Sequence, residues 1–240
     1  MEELALLLVV DPTEDLPGAR SEGDQLHELF DHHPQVRITE LRGPEATWRA
    51  IRTALRSGRY DVVHYAGHAF FDPHNRSASG IKCHGGYVLS GADLAGLEQL
   101  PALAFFNACE SSRTRRDGTS RADRPPVREE IETNVGLAEA FLRGGIANFV
   151  GTYWPVADAP AKDFAEIFYK MLLEGQPIGA ALTAGRRRLN AAQQIDWANY
   201  IHYGSYGFVL KNLGTPRTAS ASLPLVHGEG TGSGIGAFSS

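Results

Sequence analysis

Cysteine is nearly absent from this chain, which holds only Cys83 and Cys109. Two thiols exclude a disulfide scaffold and leave room for one reactive thiol. Long apolar runs are missing as well. The run from Leu4 to Val10 falls far short of the ~20 residues that span a bilayer. It follows Glu2 and Glu3, whereas a signal peptide carries positive charge at that place. Extended basic stretches are also lacking. The densest, Arg113-Thr114-Arg115-Arg116 and Arg186-Arg187-Arg188, are short, and the net charge is −5. These absences argue against nucleic acid and membrane as direct partners. A soluble protein of a reducing cytoplasm is expected.

What remains is ordinary globular composition, 42% hydrophobic and 21% charged, so wholesale disorder is not expected. Apolar runs alternate with helical periodicities. Ala5 to Val10, Tyr60 to Ala66, Ala102 to Phe106 and Ala147 to Tyr153 read as strands buried on both faces. Val36 to Leu41 alternates as a further strand, Gly86 to Leu89 as a strand or part of a hairpin, and Tyr206 to Leu210 as the last. Helical spacing recurs over Gly18 to Asp31, from Trp48 to a stop at Gly58, and over Leu137 to Leu142 with Asn134 as cap and Gly144 as stop. Phe164 to Leu172 and Ile178 to Leu189 repeat it once more. The alternation predicts an α/β sandwich with a largely parallel sheet.

Two segments stand apart. Residues 110–133 are Arg-rich and contain Pro125-Pro126, which reads as a long exposed loop. Residues 213–240 are rich in Gly, Ser and Thr and read as a tail or linker. The run Gly228 to Gly236 imitates a phosphate loop but lacks the preceding strand, the following helix and the lysine. Residues 1–212 are therefore expected to form one domain.

In parallel sheets, ligands sit beyond the carboxyl ends of strands. His68 follows one such strand and Cys109 the next clear one. If those strands are neighbours, thiol and imidazole emerge at one rim. A free thiol titrates near ~8.5, and an adjacent imidazolium lowers that value. The same histidine can later protonate a leaving amine. Gly67 would let the chain turn sharply out of the strand. By spacing alone the bland reading, a buried thiol and a satisfied histidine, stays open.

The residues around this pair carry a resemblance. His64-Tyr65-Ala66-Gly67-His68, then Phe106-Asn107-Ala108-Cys109-Glu110-Ser111, then Thr152-Tyr153-Trp154-Pro155-Val156-Ala157-Asp158 are similar, in order and spacing, to segments of the CHAT family of caspase-like proteases, relatives of separases and caspases. The resemblance implies a caspase-like three-layer sandwich, a mostly parallel central sheet flanked by helices, and peptide-bond hydrolysis without a cofactor or metal. It makes Cys109 the nucleophile and His68 the base. It places the oxyanion on the backbone N–H groups of Cys109 and Ala69; the family usually has glycine at the latter position, and alanine keeps the N–H but loses easy access to positive φ.

The resemblance further implies a substrate pocket involving Asp158, Asn107, Glu110 and Trp154. In separases the acidic residue matching Asp158 helps hold a P1 arginine. The alternative for Asp158 is capping of the helix that begins near Pro160. An arginine pocket would allow self-processing at Arg113, Arg115, Arg116, Arg121, Arg124 or Arg128. The implied partners are a polypeptide substrate and an activating sensor domain or partner protein, in a bacterial defence or cell-death pathway. The competing reading is a caspase-like pseudoenzyme that docks proteins. Cys83 and His84, even with His64, His68 and His74, do not match structural zinc spacing, and Cys83 is expected to be a bystander or a loop residue near the cleft. Trp154 and Trp197 are expected to pack in the core or wall the cleft, and Arg186 to Arg188 to form a solvated helix face.

Overall fold

The computed structural model describes residues 3–70, 72, 74–75, 78–95, 97–108, 138–152, 156 and 158–211. Its strands are β1 (Leu4–Val10), β2 (Val36–Arg42), β3 (Val62–Gly67), β4 (Ala69–Phe70), β5 (Gly80–Lys82), β6 (Val88–Ser90), β7 (Leu103–Ala108), β8 (Asn148–Thr152) and β9 (Tyr200–Tyr203). Its helices are α1 (Pro17–Asp31), α2 (Trp48–Arg56), α3 (Gly91–Leu94), α4 (138–144), α5 (Asp158–Leu173) and α6 (Ile178–Ala191). Six strands form the central sheet in the order β2-β1-β3-β7-β8-β9. All neighbours are parallel except β8 and β9, which run antiparallel.

The inner strands β1, β3, β7 and β8 are sealed on both faces, which explains why their sequences are mostly apolar. Leu4, Leu6, Leu8 and Val10 of β1, with Phe105 of β7, pack beneath α1, α5 and α6. Leu7 and Val9, with Tyr65 and Phe106, pack on the other face with residues of α2, α3 and α4. The two adjacent phenylalanines of β7 thus enter different cores, as period-2 side chains must. Burying one such side chain stabilises the fold by about 1.5–3 kcal/mol.

The helix ends follow local chemistry. Pro17 stands in the first turn of α1, where its fixed φ and missing N–H cost nothing. Thr47 caps α2 by accepting from the Ala50 N–H at 3.1 Å. At the far end Gly58 has φ +64°. Helix α4 runs through Gly144, and it is Gly145, at φ +113°, that takes the glycine-favouring conformation. The proposed cap Asn134 lies outside the described residues, as do the 110–133 loop and the tail from 213.

One expected strand is absent. Tyr206 to Leu210 forms turn and irregular backbone, and the strand beside β8 is Tyr200–Tyr203 instead. Gly204, at φ +140°, leaves the ladder with a backbone that L-residues rarely adopt. The following carbonyls then serve α6. Tyr206 O accepts from Gly179 N and Phe208 O from Ile178 N, each at 2.9 Å. The first-turn N–H groups of a helix need such partners, so the apolar segment caps a helix rather than extending the sheet.

Two further expectations change. Trp197, in a 3-10 turn at Ile195–Ala198, is 45% exposed and is not a core residue. Arg186 is half-buried, and its guanidinium donates to the Tyr200 carbonyl; the solvated face consists of Arg187 and Arg188. A small antiparallel sheet, β4-β5-β6, also follows His68. Only its last strand had a signal in the sequence, because the first two are too short for periodicity to register.

Candidate active site

β3 and β7 are direct neighbours, and their last register pair is Gly67 with Ala108. The next residue in sequence is His68 after the one and Cys109 after the other. His68 is buried, and its backbone is pinned from the flanking β4-β5-β6 sheet. Its carbonyl accepts from Lys82 N at 2.9 Å and from the Tyr65 hydroxyl at 2.6 Å. Tyr65 also points at the Lys82 carbonyl, at 2.9 Å. Burial, reinforced by the nearby Cys83 thiol, holds this phenol well above its usual range, so it remains a donor.

Gly67 is required here for a different reason than turning. A Cβ at this residue would lie 2.5 Å from the Tyr65 hydroxyl oxygen. The glycine admits the tyrosine that holds the histidine, and its φ is not positive.

The His68 ring is held by the β1–α1 loop. Its Nε2 lies 3.1 and 3.2 Å from the two oxygens of Asp15. Partial burial pushes the Asp15 carboxyl upward, but hydrogen bonds from Thr13 and His68 and the attraction of His68 bring it below its ordinary value. Asp11 organises the loop. Its buried carboxylate accepts from Asp15 N and Leu16 N, each at 3.1 Å, and pairs with Arg20 Nε at 2.6 Å.

A second, fully buried constellation lies under α1 and α5. Asn107, two residues before Cys109, donates from Nδ2 to Glu22 Oε1 at 2.5 Å. His64 Nε2 meets the same oxygen at 2.9 Å, and His64 Nδ1 meets the Tyr169 hydroxyl at 2.9 Å. Burial, with the Glu22 charge beside it, keeps Tyr169 protonated well above its usual value. A carboxylate accepts only, so His64 Nε2–H donates to Glu22, and in the neutral imidazole Nδ1 then accepts from the Tyr169 hydroxyl. The imidazole stacks on Phe105 with centroids 4.8 Å apart. Asn107 Oδ1 is buried with no partner among the described residues.

Of the sequence-predicted site residues, His68 follows β3 and Ala69 opens β4, while the Asn107 side chain lies in the buried network with Glu22. Cys109, Glu110, Trp154 and all six candidate processing arginines lie outside the described residues. Asp158 is the first residue of α5, with Pro160 in the first turn. Cys83 does not face the cleft. It is buried in the α2 side of the core, and burial pushes its thiol up to about 12. No cluster of three or more potential metal ligands occurs among the described residues, nor any helix long and apolar enough to cross a membrane.

Sequence reasoning missed Asp11, Asp15, Glu22 and Tyr169. For the first two a signal existed: Asp11-Pro12-Thr13-Glu14-Asp15 is a dense acidic turn at the carboxyl end of a buried strand, where ligand sites gather. Glu22 and Tyr169 had none, because their partners lie 42 and 105 residues away in sequence.

Known proteins give the frame for this geometry. No curated protein matches the chain. Among solved structures, separase of Saccharomyces cerevisiae in its complex with securin aligns with a TM-score of 0.52 at 16% identity, over 85% of this chain and 12% of that one. RgpB of Porphyromonas gingivalis, in a complex of its pro- and mature domains, aligns with a TM-score of 0.56 at 18% identity, over 88% of this chain and 49% of that one. The chain therefore spans half or less of these neighbours' length, and the likeness is one of fold, the caspase-like sandwich with a mostly parallel sheet. The CHAT domain model matches residues 5–205, so the chain belongs to the CHAT domain family.

Proposed function

We propose that this chain is a cysteine endopeptidase in which His68 activates Cys109. The observation that carries the reading is the register of β3 with β7: its last pair, Gly67 and Ala108, immediately precedes the two reactive residues in sequence. The chemistry then follows. The thiol proton passes to His68, and the thiolate sulfur bonds to the scissile carbonyl carbon while the C=O pair moves onto oxygen. Backbone N–H groups of Ala69 and Cys109 receive that charge. Collapse breaks the C–N bond, the leaving nitrogen takes the proton from His68, and water hydrolyses the thioester.

A P1 arginine is the preference that the rim favours. Asn107 has spent its amide nitrogen on Glu22 and offers only an acceptor, Oδ1. A guanidinium supplies donors in a fixed fork. Asp158, Glu110 and Trp154 complete the pocket in this reading, and Arg113, Arg115, Arg116, Arg121, Arg124 and Arg128 become self-processing sites. A sensor domain or partner protein activates the enzyme, in a cytoplasmic bacterial defence or cell-death pathway. That the separase neighbour is held in a complex with securin supports control by a protein.

Labelling with peptide electrophiles scanned at P1 tests the reading. Adduct at Cys109, strongest for arginine, is expected, with loss in Cys109→Ala and a fall of about 10²–10⁴-fold in His68→Ala. Peptide hydrolysis that survives Cys109→Ala unchanged would overturn it.

A further inference from the structure

We propose that Asp15 is the positioning residue of His68, fixing the imidazole so that Nδ1 rather than Nε2 takes the proton from Cys109. The proposal rests on the reading of His68 as the base. A neutral imidazole carries one N–H and one lone pair. With Nε2 at 3.1 and 3.2 Å from the two Asp15 oxygens, the N–H belongs on Nε2, since a carboxylate accepts only. The lone pair is then on Nδ1. Among the described residues no hydrogen bond of His68 Nδ1 occurs.

Asp15 is 59% exposed, and an exposed carboxylate orients a ring only if something holds it. Three features do so. Thr13 donates its hydroxyl to Asp15 Oδ1. The Asp15 N–H is fixed on the buried Asp11 carboxylate, which Arg20 neutralises, and Arg20 also reaches the Glu14 carbonyl at 2.7 Å. Finally, Asp11 N donates to Ala66 O at 2.8 Å, joining the loop to the strand that ends beside His68. Asp11 and Glu14 adopt φ +43° and +63°, conformations costly for non-glycine residues. Such backbone persists where its surroundings over-determine it, as the Asp11 bonds do here.

The charged and titratable groups around the ring are few. The loop contributes Asp11, Glu14 and Asp15, and α1 contributes Arg20. β3 contributes Tyr65. β5 and the residues after it contribute Lys82, Cys83 and His84, the last 3.6 Å from Glu14. Among the described residues, Asp15 is the charged group that contacts the His68 ring.

The experiment follows ring nitrogens by long-range ¹H–¹⁵N NMR across pH, in the full chain and in Asp15→Asn and Asp11→Asn. Neutral His68 is expected as the Nε2–H tautomer, with Nδ1 unprotonated. Asp15→Asn preserves shape but replaces a carboxylate, which accepts only, by an amide that can also donate, so the Nε2–H tautomer should lose its dominance over the Nδ1–H form. The rate of Cys109 alkylation by iodoacetamide should fall with it. Asp11→Asn should produce a smaller change of tautomer in the same direction. A His68 tautomer population unchanged in Asp15→Asn overturns the proposal. These readouts need no peptide substrate. A wild type with the expected His68 behaviour and no hydrolysis of any peptide would sink the peptidase reading while upholding the Asp15–His68 pairing.

Discussion

His64 and His68 lie four residues apart on one strand and its exit, both out of contact with bulk water, yet the structure uses them in opposite ways. The His64 ring has both nitrogens bonded to side chains sealed in the core, Glu22 and Tyr169, and a phenylalanine against its face. Nothing is left for a substrate to use. His68 is anchored by its backbone to Tyr65 and Lys82 and by one ring nitrogen to a carboxylate at the surface. Burial alone therefore does not tell a histidine locked in the core from one held by a single ring nitrogen. The number of ring nitrogens already committed, and whether their partner is itself sealed, does. Asn107 and Glu22 extend the contrast: the network that locks His64 also fixes the amide two residues before Cys109.

The largest effect that could break this comparison is on stability. His64→Ala leaves buried Glu22 with Asn107 as its remaining side-chain donor among the described residues and opens a cavity beside Phe105. A loss of about 3–5 kcal/mol is expected by urea denaturation. His68→Ala removes a ring whose partner is solvated and should cost about 1 kcal/mol or less through the lost ion pair, while the proposed activity falls by about 10²–10⁴-fold. Similar losses of stability from the two variants would erase the distinction. Tyr169→Phe comes next. It keeps the ring but leaves His64 Nδ1 unsatisfied, with an expected loss of about 1–3 kcal/mol and no change in Cys109 alkylation.

A pH measurement sharpens the contrast with a third histidine. His202 on β9 is half-buried, and its burial lowers its affinity for protons below the ordinary 6.5. It accompanies Asn148 Oδ1 at 3.2 Å. A depressed histidine stabilises the fold fully above its unfolded value, and that contribution is lost as pH falls through the folded value. Denaturation midpoints should therefore decline below about pH 6.5, and less steeply in His202→Gln. A midpoint that falls equally in both would place the acid sensitivity elsewhere. The smallest effect concerns the two thiols. With its thiol pushed up to about 12 and its side chain in the core, Cys83 should escape iodoacetamide at pH 8 in the folded protein, while Cys109 reacts. Mass spectrometry of the labelled peptides reads this directly, and equal labelling would remove the basis for calling one thiol inert.

Much of the molecule was written locally. The uninterrupted apolar strands announced a sheet covered on both faces, and the helix periodicities between them announced parallel crossovers, because both signals depend only on neighbouring residues. The motif around His68 and Cys109 was legible for the same reason. Tyr206 to Leu210 misled because an apolar segment capping a helix reads like a strand until its carbonyls find Ile178 and Gly179.

The sequence by itself determined the layered fold, the family and the two strand ends that His68 and Cys109 follow, since side-chain period and motif spacing are properties of the chain. Tertiary structure alone decided which histidine is locked, which nitrogen of the other meets a carboxylate, and which carboxylates attend them. Those roles depend on contacts made across 42, 53 and 105 residues, between groups that no local pattern relates.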